Sequence, residues 1–285
     1  MADVGGPVWR VGERAFDCSE RTLVMGILNV TPDSFSDAGK FFTDRAAIDR
    51  GAEMIDQGAD VVDVGGESTR PGSDPVPADE EVRRVLPVIE QLARHISTVP
   101  ISIDTRKAEV AARALEAGAS IVNDVSAGSD PVMFELAREY GAGIVLMHMQ
   151  GDPQTMQVAP TYDDVVDEVH EYLRGRVEAA EFAGIEPDRI VVDPGIGFGK
   201  NTNHNLELLQ RIDAFADLGR PVLVGPSRKR FIGTLLDLPE NERVEGTAAA
   251  VAWSVSRGAH AVRVHDVKEI GRVVRVVDAI ARGTA

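Results

Sequence analysis

The 285-residue chain sets 30 Lys and Arg against 46 Asp and Glu, a formal net charge of −16, and is 44% hydrophobic but only 5% aromatic. So acidic a balance argues against nucleic acid or an anionic membrane as partner, because both demand positive charge. Cys18 is the one cysteine, which excludes an internal disulfide and a cysteine metal cluster and points to a reducing, cytoplasmic compartment.

In chain order, residues 1–20 read as an N-terminal hairpin extension, since Trp9 to Phe16 alternates about Gly12. No apolar run in this stretch suits a signal peptide, and the most apolar run, 247–255, is too short to span a bilayer. From residue 21 to 285 the chain alternates two patterns. Short runs rich in Val and Ile recur at 23–28, 61–64, 101–103, 121–122, 143–147, 190–192, 222–224 and 261–264. They are nearly continuous rather than alternating, as in a parallel strand buried on both faces. Between them, helical periodicity covers 78–95, 107–117, 163–183, 204–218, 246–257 and 267–281; in 107–117 Val110, Ala111, Ala114 and Leu115 share one stripe and Gly118 ends it. Such alternation predicts a parallel α/β fold, and eight units favour a single-domain (β/α)8 TIM barrel, whose usual size is about 250 residues. Periodicity alone leaves a doubly wound open sheet possible.

In a barrel of this kind the site lies at the C-terminal ends of the strands. Read in order, those ends are Asn29, Asp63, Asp104, Asn123–Asp124, His148, Asp193, Ser227–Arg228–Lys229 and Arg263–Val264–His265–Asp266. One polar strand end is most simply a turn or a helix cap; a whole ring of them is hard to read as caps alone. Their chemistry narrows the choice. There is no Cys–His cluster for zinc and no nucleophile elbow for acyl transfer. Lys229, Arg263 and His265 suit a polyanion such as diphosphate. The Asp and Asn side chains suit the donor and acceptor edge of a heterocycle; a carboxylate takes two adjacent N–H groups.

The run Asp193-Pro194-Gly195-Ile196-Gly197-Phe198-Gly199-Lys200 is neither a Walker A loop, since Asn201 follows the lysine, nor a Rossmann fingerprint, since Lys200 stands where the third glycine would be. It reads either as a plain strand–helix connection or, preferred here, as backbone that approaches a planar ligand closely. Two long polar loops, 29–37 and 65–72, read as lids or as ordinary turns.

At these residues the chain resembles the dihydropteroate synthase family of pterin-binding barrels. The resemblance rests on seven motifs in the family's order: Asn-Val-Thr-Pro-Asp-Ser-Phe-Ser-Asp (29–37), Glu-Ser-Thr-Arg-Pro-Gly (67–72), Ser-Ile-Asp-Thr (102–105), Asn-Asp-Val-Ser (123–126), Asp-Pro-Gly-Ile-Gly-Phe-Gly-Lys (193–200), Ser-Arg-Lys (227–229) and Arg-Val-His-Asp (263–266). It covers residues from about 8 to 281.

The resemblance implies a transferase of folate biosynthesis. It condenses 6-hydroxymethyl-7,8-dihydropterin diphosphate with 4-aminobenzoate to 7,8-dihydropteroate and diphosphate, and it is the target of sulfonamides. It also implies roles. Asp104, Asn123 and Asp193 would hold the pterin edge. Lys229 would face the ring's carbonyl side and Arg263 would stack on it. Asn29, Arg263 and His265 would take the diphosphate, with Mg2+ near Asn29. Thr69, Arg70, Pro71, Phe198 and Lys229 would frame the aminobenzoate. Asp104, Lys229, Arg263 and His265 would be the catalytic set, and the family suggests a homodimer through the late helices. The departures are Ala38, where the family often has Gly, and Pro226 and Arg230 beside the Ser-Arg-Lys motif; none removes a proposed contact. Two other readings keep the barrel: a corrinoid methyltransferase using methyltetrahydrofolate, and a non-catalytic pterin-binding paralogue. The first has little use for the 68–71 loop or the Arg-Val-His end. The second should have lost one of Asn29, Arg70, Lys229 or Arg263, and all four are present.

Overall fold

The computed structural model describes residues 6–31, 40–68, 72–95 and 98–283, with the side chains of 40–44 left outside the description. Eight parallel strands form the centre: β3 (Leu23–Asn29), β4 (Val61–Gly65), β5 (Ile101–Asp104), β6 (Ile121–Asp124), β7 (Gly143–Met147), β8 (Ile190–Asp193), β9 (Leu223–Val224) and β10 (Ala261–Val264). Their order is β8-β7-β6-β5-β4-β3-β10-β9. A parallel bridge between Val192 and Val222 joins the two ends, and the Val192 N–H donates to Pro221 O at 3.0 Å. The sheet is thus a barrel with a thin seam between β8 and β9, and the predicted TIM-barrel architecture holds.

Helices surround the barrel: α1 (Lys40–Asp56), α2 (Ala78–His95), α3 (Ala108–Glu116), α4 (Val132–Glu139), α5 (Val165–Phe182), α6 (Thr202–Gln210), α7 (Arg230–Leu236), α8 (Val244–Ser256) and α9 (Val267–Arg282). Local chemistry sets their ends. Asp79, Glu80 and Glu81 lie in the first turn of α2 and Arg94 and His95 in its last, complementing the helix dipole. The Asp164 side chain accepts from the N–H groups of Val166 and Asp167 to start α5. The helix expected over 204–218 divides: α6 ends at Gln210, and 212–218 tightens into a 3-10 turn.

The strands carry two cores. Side chains such as Val62, Val64, Ile103, Ile144, Val192 and Val262 point outward and pack under the helices. The alternate set, Leu23, Met25, Val61, Ile121, Val145, Val191, Leu223 and Ala261, points into the barrel. The expected N-terminal hairpin, β1 (Val8–Val11) paired antiparallel with β2 (Arg14–Asp17), closes the N-terminal end of that interior. Trp9, wholly buried, plugs it together with Val11 and Cys18. Gly143 makes room, since a Cβ there would lie 2.9 Å from the Trp9 indole nitrogen. Arg10 to Asp188 at 2.6 Å ties the plug to the turn before β8. Burial pushes the Cys18 thiol up to about 12, so it is a packing residue rather than a reactive one.

Candidate active site

The inward alternation continues up the strands and turns polar. Two residues beyond Val61, Ile121, Val191 and Ala261 stand Asp63, Asn123, Asp193 and Arg263. Strand register sets Gly65 beside Asp104, and Asp104 beside Asn123. Asn29, six residues on from Leu23, ends β3 level with Gly65. The mouth of the barrel is therefore a ring of buried polar groups standing on an apolar floor.

Arg263 organises one side of that ring. Its Nε donates to Asp63 Oδ2 at 2.6 Å and its Nη2 to Asp104 Oδ2 at 2.5 Å. Asn123 Nδ2 donates to the same Asp63 oxygen at 3.0 Å. Burial alone would lower the Arg263 pKa, but the two carboxylates outweigh it and hold the guanidinium firmly charged. Asp104 is pushed up to about 7 by burial, opposed by Arg263 and abetted by Asp63. One oxygen on each carboxylate, Asp63 Oδ1 and Asp104 Oδ1, is buried without a hydrogen-bond partner. A buried acceptor left unmade is costly, so these oxygens mark where a donor belongs. Asp63 was visible in the sequence as a strand end but carried no predicted role. Its signal is an aspartate inside an otherwise apolar run, Val61-Val62-Asp63-Val64.

Asp193 faces this cluster from β8. Its Oδ1 accepts from the Gly195 N–H at 2.7 Å, and burial pushes the carboxyl up to about 6 against that bond and the charge of Lys229. The loop that follows is folded by its glycines. Gly195, Gly197 and Gly199 all have positive φ. A Cβ at Gly195 or Gly199 would collide with the backbone of His148 or Gln150, and one at Gly197 with the Lys229 stem. The close approach predicted for this run is thus seen against protein backbone and a lysine stem, which hold the loop in one shape. That shape puts the Phe198 ring 3.8 Å beneath Lys229 Nζ, an arrangement that favours a cation over the ring face.

The Ser-Arg-Lys stretch is held under strain. Arg228 has φ +55, an unfavourable conformation for a residue with a side chain. Its N–H donates to Thr247 Oγ1 at 3.0 Å, its O accepts from Arg243 at 3.0 Å, and its guanidinium forks onto Asp266 at 3.0 and 2.5 Å. Beside it, Ser227 Oγ accepts from the His265 backbone N–H at 3.2 Å and lies 2.9 Å from His265 Nδ1. Burial, with the charges of Arg263 and Arg228, pushes the His265 imidazole down to about 3. With only protein groups around it the ring is neutral, and it can offer an anion a hydrogen bond. If the Ser227 hydroxyl donates to Nδ1, the ring proton sits on Nε2.

Not every polar strand end belongs to this ring. Asp124 accepts from Ser126 N, Ser126 Oγ and Gly128 N at 2.6–2.8 Å, so it shapes a turn. Asp266 anchors Arg228, and His148 turns to Lys200. The predicted Thr69, Arg70 and Pro71, and positions 32–37 of the first loop, lie outside the described residues.

A buried ring that pairs carboxylate and amide acceptors with fixed cations suits a flat, hydrogen-bonding heterocycle that carries an anionic tail. Comparison with known proteins agrees. Residues 25–265 match the family of pterin binding enzymes. A dihydropteroate synthase of Synechocystis sp. is 45% identical over 284 residues, covering 99% of this chain and 98% of the relative. The chain belongs to the dihydropteroate synthase family. Among solved structures of the family, that of Yersinia pestis dihydropteroate synthase in a sulfonamide drug complex matches with a TM-score of 0.91 at 41% identity, covering 96% of this chain and 99% of that one. The Xanthomonas albilineans dihydropteroate synthase with 4-aminobenzoic acid matches with a TM-score of 0.90 at 46% identity, covering 96% and 98%.

Proposed function

We propose that the polar mouth of the barrel catalyses the family reaction, in which 4-aminobenzoate displaces diphosphate from 6-hydroxymethyl-7,8-dihydropterin diphosphate to give 7,8-dihydropteroate for folate biosynthesis. The observation that carries this reading is the buried cluster of Asp63, Asp104, Asn123 and Arg263 facing Asp193, with carboxylate oxygens awaiting donors. A 2-amino-4-oxo pterin supplies adjacent N–H donors, which Asp193 takes as a carboxylate and Asn123 and Asp104 take further along the edge. Arg263, already clamped by two carboxylates, presents its flat face to the ring.

The reaction breaks the methylene C–O bond and forms C–N; the amine then sheds a proton. The amine is a weak nucleophile, so help is needed at the leaving group. His265 donates a hydrogen bond to the departing diphosphate, and Arg263 supplies charge. Positive charge developing on the methylene spreads into the dihydropterin ring, and the buried Asp104 favours it. Phe198 and Lys229, with Thr69, Arg70 and Pro71, frame the aminobenzoate, where a sulfonamide competes. The two early loops exclude water that would otherwise compete with the amine.

Among the described residues there is no group of three or more His, Cys, Asp or Glu that could hold a metal ion. Mg2+ fits differently: it usually keeps its waters, takes one or two protein oxygens and rides on phosphate. The Asn29 amide oxygen at the end of β3 suits that role, and a bound Mg2+ would neutralise charge on the diphosphate.

A homodimer in the cytoplasm completes the proposal. An apolar groove between α6, α7 and α8, lined by Leu206, Leu209, Phe231, Leu235 and Trp253, supports pairing through these helices. Among the described residues, no helix is long and apolar enough to cross a membrane. The test is diphosphate release from the pterin diphosphate with and without 4-aminobenzoate. Release that needs the amine is expected; release that never depends on it would overturn the assignment.

A further inference from the structure

Lys200 ends the glycine-rich loop, yet its side chain turns inward and is almost wholly buried. All three ammonium protons have acceptors. Nζ lies 2.9 Å from His148 Nδ1, 2.8 Å from Phe198 O and 3.3 Å from His148 O. Burial pulls the Lys200 pKa down to about 7, against the opposing charge of Asp193. Burial and the Lys200 charge push the His148 imidazole down to about 2, which keeps it neutral and able to accept.

The neighbouring loop carbonyls are held in the same way. Gly197 O accepts from Gln157 Nε2 at 2.8 Å and Gly199 O from the Tyr162 hydroxyl at 2.7 Å. Three successive carbonyls, 197 to 199, are thus each held by a different side chain. His148 is itself fixed edge-on to Tyr172 at 4.9 Å between ring centroids. The ring that sits on this held backbone is Phe198, under Lys229.

We infer that the Lys200–His148 pair, with Gln157 and Tyr162, is a positioning clamp that binds the loop after β8 to the segment after β7 and so sets the Phe198 wall of the aminobenzoate pocket. This rests on the reading that Phe198 faces the aminobenzoate. None of the four is assigned to touch a reacting atom; they act through Phe198. A carbonyl freed from its donor lets the loop relax, and the loss should fall on the second substrate rather than on the pterin.

The experiment is steady-state kinetics of the full chain with each substrate varied in turn. His148→Leu removes the neutral acceptor without changing charge; it should raise the KM for 4-aminobenzoate about 10-fold and leave that for the pterin diphosphate within about twofold. His148→Asn, whose amide oxygen can take the place of Nδ1, should return the amine KM to within about threefold of the parent. Lys200→Met should reproduce the amine effect and also weaken the pterin, because Asp193 loses a nearby cation. Gln157→Leu, at the loop's edge, gives the same readout should the His148 variants fail to fold. Equal changes in both KM values for His148→Leu or Gln157→Leu, or a lowered Tm with unchanged kinetics in these two variants, would overturn the clamp. Phe198→Ala separates the two levels: if it leaves the amine KM unchanged, the placement of the aminobenzoate is at fault; if it raises that KM while His148→Leu and Gln157→Leu do not, the clamp is.

Discussion

The two ends of the barrel are built from the same strands and the same alternation, yet they differ in kind. At the N-terminal end the inward residues are Leu23, Val61, Ile121, Val191 and Ala261, sealed by Trp9. Two residues further along several of the same strands they are Asp63, Asn123, Asp193 and Arg263. The floor is apolar and closed, and its one buried polar side-chain atom without a partner among those described is the Trp9 indole nitrogen. The mouth holds buried charge with acceptors left open. The first serves stability alone, the second carries the chemistry as well, and the boundary between them is about one pleat thick.

Breaking the mouth should damage both properties. Arg263→Met leaves Asp63 and Asp104 buried without their cation; removing one partner of a buried pair costs about 3–5 kcal/mol. Denaturant unfolding should show that loss together with a fall of three or more decades in kcat/KM. Retained stability would mean that the two carboxylates simply take up protons. Breaking the floor should separate the properties. Trp9→Ala opens a cavity worth about 3–5 kcal/mol, while kcat per folded molecule stays at the parent value; a matching fall in kcat would show that the plug reaches the mouth.

Two smaller effects sharpen the contrast. Asp193→Asn swaps an acceptor for a donor against the pterin edge and should weaken pterin binding by about 2–3 kcal/mol in calorimetry. Unchanged affinity would misplace the ring. For pH, Asp193 must be ionised to accept, and burial has raised it to about 6. The kcat/KM for the pterin diphosphate should therefore fall as pH drops through 7 and then 6, as Asp104 and then Asp193 take up protons. The contribution of Asp193 to stability runs the other way. The folded state holds the proton more tightly than an unfolded carboxyl at its ordinary 3.8, so that contribution is full below 3.8 and lost as pH climbs through about 6. Pterin kinetics flat from pH 7 to pH 5 would remove Asp193 from the binding edge. Smallest of all, Ser227→Ala frees the His265 ring and should lower kcat less than 10-fold, with Tm nearly unchanged.

Much of this was legible in the chain, and the reasons are physical. Strands buried on both faces write themselves as runs such as Val61–Val64, and a polar residue at the end of such a run can only sit at a barrel end. Partnership was not legible. Arg263 and Asp63 lie 200 residues apart, and nothing local in either says that they meet. His265 was grouped with the cations, because the burial that neutralises it comes from the fold. Lys200 closed a glycine run and gave no sign of turning inward to His148. The shorter helices α4 and α7 span only two turns or so, too few for a period to declare itself, and α1 carries a weak stripe interrupted by Gly51.

The seam between β8 and β9 has one further meaning. Seven neighbouring pairs of strands are joined along their ladders, but here a single bridge at Val192 and Val222 completes the circle. Asp193 is the next residue on one side of that gap, and Lys229 hangs from the loop on the other. On the proposed function, a pterin that engages both spans this seam. Its binding braces the barrel where the ladder is thinnest and so stabilises the folded state. Substrate, on this view, is the last structural element of the barrel.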